Sequence, residues 1–93
     1  MALVHTNNQV GTTPIKIVQI PNGIKGSVAV QIYNNMGNTI YLGDGSVTSS
    51  GATIGNAIAN SASLQLWLGA GDAVFAIGAT AGAGYISVLY AGV

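Results

Sequence analysis

Few residues in this chain could do chemistry. His5, Asp44 and Asp72 are its only groups suited to proton transfer near neutrality, Lys16 and Lys25 its only fixed cations, and it has no Cys. Two carboxylates can divide the work of general acid and base. Here Asp44 stands in Leu-Gly-Asp-Gly-Ser and Asp72 in Gly-Ala-Gly-Asp-Ala, where Asp beside Gly serves turn geometry by bonding to nearby backbone. His5 is distant in sequence from both, so the several ligands that a metal needs are not gathered. A calcium loop would carry oxygen ligands at alternating positions, and Val47 breaks the run that Asp44-Gly45-Ser46 begins. None of the 14 glycines is placed with the Lys and helix start of a phosphate-binding loop. No Ser lies in a Gly-x-Ser-x-Gly elbow, and the single His has no evident carboxylate partner. The chain is therefore expected not to be an enzyme, and to hold neither cofactor nor metal.

The elements that carry these residues read as strands. Residues 62–77 open with Leu64, Leu66 and Leu68 alternating with Ser63, Gln65 and Trp67, the period of two that marks a strand with one buried face. Gly69-Ala70-Gly71-Asp72 supplies a turn, and the apolar run Ala73 to Ile77 follows. The stretch predicts a β-hairpin. Earlier, Pro14 can only start a strand, and Ile15 to Ile20 predicts one with Ile15 and Ile17 on one face and Lys16, Val18 and Ile20 on the other. Pro21-Asn22-Gly23 predicts a turn. Val28, Val30 and Ile32 alternate with Ala29, Gln31 and Tyr33, and Asn34 to Asn38 turns the chain into a returning strand with Ile40 and Leu42 inward and Tyr41 outward.

From Ser46 to Ser61 the residues are small and polar, which predicts an ordered loop with room for one short strand. Gly78 to Gly84 is a flexible connection, and Tyr85 to Tyr90 a last strand. Ala57 to Ala62 is too short to hold a helix. Short strands at even spacing between Gly/Asn turns predict an all-β fold, a small antiparallel β-sandwich or jelly-roll-like barrel of six to eight strands. Residues 14–93 form that single domain, and residues 1–13 an arm or edge strand. No internal repeat argues for a solenoid.

Composition narrows the class of function. Of 93 residues only 4% are charged, net charge is zero and 49% are hydrophobic, against about 25% charged in an ordinary soluble domain. Disorder requires the reverse composition. The uncharged run from Ala73 to Val93 approaches the roughly 20 residues of a membrane span, but Gly78, Gly82, Gly84 and Gly92, the alternation, and the lack of flanking cations oppose it. The N-terminal residues have neither the basic nor the long apolar region of a secretory signal, so folding in the cytoplasm is expected. No basic patch supports nucleic-acid binding. A small domain buries a modest share of its surface, and one without charge lacks the repulsion that keeps copies apart. The chain reads as a subunit whose faces are meant to be covered.

Tyr33, Tyr41 and Trp67 point away from the aliphatic side of their strands. Such aromatics cover a sheet edge, stack on a sugar, or anchor a protein interface, where Trp and Tyr are enriched. Beside the deficit of charge they favour an interface. The N-terminal segment, with Leu3, Val4 and His5, is the candidate docking arm.

The succession Ile40-Tyr41-Leu42-Gly43-Asp44-Gly45-Ser46-Val47-Thr48, a Gly-containing loop, Leu64-Gln65-Leu66, Gly71-Asp72-Ala73-Val74-Phe75-Ala76-Ile77 and a closing Ile86-Ser87-Val88-Leu89 resembles small virion proteins of tailed bacteriophages. The resemblance covers residues 28–90. It implies a capsid decoration (cement) protein: a β-sandwich that trimerises, binds the major capsid protein where capsid subunits meet, and has no catalytic residues. On that reading the protein is made in the host cytoplasm and resides on the capsid surface. The near-absence of charge departs from the family. A fibre, head–tail or tail component and a carbohydrate-binding adhesive module are the alternative readings.

Overall fold

The computed structural model describes residues 3–80 and 84–91. Met1 and Ala2, residues 81–83 of the Gly78–Gly84 connection, and Gly92 and Val93 lie outside the described residues. The clearest alternation in the sequence becomes the longest strand. In β3 (Val28–Asn35) Val28, Val30 and Ile32 are buried while Gln31, Tyr33 and Asn35 are exposed. The other strands are β1 (Leu3–Asn8), β2 (Ile15–Gln19), β4 (Ile40–Gly43), β5 (Asn56–Ile58), β6 (Ser63–Leu68), β7 (Ala73–Gly78) and β8 (Tyr85–Ala91). No helix among the described residues is long and apolar enough to cross a membrane.

The eight strands form two antiparallel sheets of four, a first sheet in the order β1-β8-β3-β6 and a second in the order β2-β7-β4-β5. Strands pair from the outside in, β1 with β8, β2 with β7, β3 with β6 and β4 with β5. The chain is thus one long hairpin, bent at the loop between β4 and β5, and rolled so that β3 also pairs β8 and β4 also pairs β7. This is the double-sheet jelly-roll arrangement. Val28, Val30, Ile32, Ile86 and Val88 of the first sheet meet Ile17, Val18, Ile40, Leu42, Val74 and Ala76 of the second in a continuous core. The all-β sandwich expected from the spacing of the strands is what the chain forms.

Local expectations change at two connections and in one strand. The Gly69–Asp72 turn forms, with the Asp72 amide donating to Gly69 O at 3.1 Å and the Gly69 amide to Asp72 Oδ2 at 2.7 Å. It joins two different sheets, however, so β6 and β7 are no hairpin. Strand β7 is buried along most of both faces and belongs between β2 and β4; β6 alternates and stays at an edge. The link from β3 to β4 likewise passes from one sheet to the other. In β2 the register shifts between Lys16 and Val18, and Ile17 and Val18 are both buried, so a bulge replaces the strict alternation. Of the two alternatives for the N-terminal segment, arm or edge strand, Leu3–Asn8 forms the edge strand β1.

Asn34, expected to open a turn, is instead the one buried polar side chain of the described residues. Its Nδ2 donates to Asn38 O at 2.9 Å and to Ile58 O at 2.8 Å, and its Oδ1 accepts from the Met36 amide at 2.9 Å. Its backbone accepts from the Ser61 amide and donates to Ala62 O. One side chain of the first sheet thereby ties the end of β5, in the second, to the crossing from β3 to β4. Full satisfaction is what makes a buried amide tolerable.

Candidate functional site

Sheet register decides which side chains share a surface. Successive residues of a strand alternate between faces, and cross-strand partners lie on the same face. In the first sheet Val30, Ile32 and Asn34 pair with Tyr90, Val88 and Ile86 on the inner face. The outer face therefore carries the intervening residues, in rows that run across the strands. One row places His5 beside Leu89, Leu89 beside Gln31, and Gln31 beside Gln65. The next sets Asn7, Ser87, Tyr33 and Ser63 level, with the Ser87 hydroxyl donating to Asn7 Oδ1 at 2.9 Å. Beyond these Tyr85 pairs with Asn35. At the opposite end Leu3 pairs with Ala91 and Trp67 with Ala29. The β3–β8 register, carried one residue past Val30 and Tyr90, brings Ala29 level with Ala91.

The face is apolar and amide-rich. Among the described residues six large hydrophobics are exposed, and five of them, Leu3, Tyr33, Trp67, Tyr85 and Leu89, are here; Ile54, in the loop between β4 and β5, is the sixth. Trp67 is 69% exposed and Leu3 73%. All four fixed charges lie elsewhere. Lys16, on β2, holds its Nζ 3.0 Å from Gln19 Oε1 and 5.9 Å from the centre of the Phe75 ring. Lys25, Asp44 and Asp72 stand in connections between strands.

Of the residues marked from sequence, Leu3, His5, Tyr33 and Trp67 are brought together on this face. Val4 and Tyr41 are not. Val4 pairs with Tyr90 on the inner side of β1, and Tyr41 is half-buried in the second sheet between Ala57 and Ile77. Sequence reasoning missed Tyr85, Leu89 and the paired amides Gln31 and Gln65. The parity of β8 could have found the first two, had Leu89 and Tyr90, adjacent and both apolar, not left its inward side ambiguous.

An open cleft of about 290 Å³ lies at the β4–β5 loop, lined by Leu42, Asp44, Val47, Thr53, Ile54 and Asn56 among others. Its only carboxylate is already committed. Asp44 Oδ1 accepts from the Ser46 hydroxyl at 2.6 Å and the Ser46 amide at 2.9 Å. These bonds, the hydroxyl foremost, hold the exposed Asp44 carboxyl below the usual carboxylate range. Such a group stays ionised and accepts hydrogen bonds, which suits a turn and not a proton donor. No three groups of the His, Cys, Asp and Glu type come together among the described residues. No family model, curated protein or solved structure matches the chain.

Proposed function

We propose that this chain is a non-enzymatic structural subunit of a bacteriophage particle. It acts as a capsid decoration protein that associates with copies of itself and with the major capsid protein, and so stabilises the shell. The observation that supports this most is the outer face of the first sheet, free of Lys, Arg, Asp and Glu, where the exposed Leu3, Tyr33, Trp67, Tyr85 and Leu89 gather. Apolar patches of this kind on a small domain mark association surfaces. Burial at roughly 25 cal/mol per Å² makes a modest contact useful, and repetition over a shell multiplies it. Jelly rolls recur in capsid and lectin domains, an analogy of fold alone.

The protein is made in the host cytoplasm and resides on the capsid surface. With almost no charge to screen, attachment to particles depends little on ionic strength. Quantitative mass spectrometry of purified particles tests the reading. Copies in fixed, high ratio to the major capsid protein, retained in high salt, are expected; absence from particles, or release by salt, overturns it. The same aromatics beside Gln31, Gln65 and Asn35 favour a second reading, an adhesive module that stacks sugars on Trp67 or the tyrosines. Binding on a glycan array by a chain that is absent from particles selects that reading.

A further inference from the structure

We infer that the outer face of the first sheet packs against the same face of a second copy of this chain, making a twofold dimer of sandwiches. The inference rests on the reading of that face as an association surface and names its occupant.

Area is the first argument. Four strands about 4.8 Å apart and six to eight residues long at about 3.4 Å per residue give a footprint of roughly 400–500 Å². Pressing two such faces together covers twice that footprint, roughly 800–1,000 Å² before the relief of the side chains is counted, at the lower edge of specific interfaces. A single edge strand could not reach that figure.

Charge is the second argument. A partner must leave no ionised group stranded over Leu89, Gln31 or Tyr33, because an unpaired buried charge is costly. A face without Lys, Arg, Asp or Glu suits another of the same kind, and a second copy supplies one.

Relief is the third. The end row runs Leu3, Ala91, Ala29, Trp67, two large side chains flanking two small ones. A twofold axis parallel to the strands, between β8 and β3, reverses this row onto itself. Trp67 of one copy then lies beside Leu3 and above the small-residue trough at Ala91 of the other, and the contact repeats by symmetry. Both sites of the anchor are present on one surface, as an isologous interface requires. The twofold gives a dimer, in place of the trimer that the sequence resemblance implies. Gln31, on the inner strand β3, falls near the axis and can meet its symmetry mate, while Gln65 on the edge strand β6 comes opposite His5 of the other copy.

Sedimentation equilibrium of the full chain, with Trp67 fluorescence read over the same concentrations, tests this. The wild type is expected at twice the chain mass with blue-shifted emission that moves red on dilution. Gln31→Lys sets two cations against each other at the centre and is expected to weaken association about a hundredfold or more. Trp67→Ser weakens it without adding charge, and serves if the first variant fails to fold. Ala57→Lys, exposed on β5 of the other sheet, is the control and keeps the wild-type mass. A wild-type monomer with solvent-exposed Trp67 overturns the inference, as does an oligomer of any size that neither face variant reduces. A monomer that still decorates particles leaves the attachment to the capsid standing and the self-contact refuted. A dimer that is absent from particles does the opposite.

Discussion

At the scale of single residues the chain is held by a few committed polar groups. Asn34 answers three backbone groups with its side chain, one of them, Ile58 O, in the other sheet. Asn34→Ala leaves Ile58 O and the Met36 amide buried without their partner. It is expected to cost about 2–5 kcal/mol, a large part of the stability of a small domain; equilibrium denaturation at matched protein concentration measures it. Asp44 is a different case. Its carboxyl is held low by Ser46, so its stabilising contribution is present above the unfolded-state value and is lost as pH falls through the lower folded value. An NMR titration should find the Asp44 midpoint below the ordinary one, and Ser46→Ala should move it upward. A midpoint indifferent to Ser46→Ala would remove the hydroxyl as the cause.

At the scale of elements, connections carry the information that strands lack. The turn after β6 was legible in Gly71 and Asp72, and Gly71 does take φ of +78°. Nothing local says whether such a turn closes a hairpin or steps between sheets, since both use the same dihedral angles. Ser61 shows a comparable device. It sits at φ of 67°, unusual for a residue with a side chain, while its amide donates to Asn34 O at 2.8 Å. Ser61→Gly relieves the αL penalty and is expected to raise stability by about 0.5–1 kcal/mol in chemical denaturation. Gly55 is fixed by proximity instead. A Cβ there would stand 2.5 Å from Val47 Cγ2 and 2.6 Å from Leu42 O. Gly55→Ala is expected to cost about 1–3 kcal/mol, with the loss of β4–β5 amide protection in hydrogen exchange as its signature.

At the scale of the whole molecule, a dimer makes stability depend on concentration. A tenfold increase should raise the melting temperature by about 3–5 °C, and salt should leave that shift unchanged because so little charge is involved. A melting point independent of concentration would count against association. What the sequence by itself determined was the all-β class, the positions of most strands, and the scarcity of charge. Period-two alternation and turn residues are local, and composition needs no fold to be read. Half of the candidate face was visible in the same way, because Tyr33 and Trp67 alternate against buried neighbours within their own strands. Only the tertiary structure decided the rest. The pairing of β1 with β8 and of β3 with both β6 and β8 joins residues far apart in the chain, and that long-range register sets Leu3 and Trp67 at opposite ends of one row. It also sends Val4 and Tyr41 elsewhere and buries Asn34. Strand order is fixed by how two sheets share one core, a property of all the strands at once and of no single stretch.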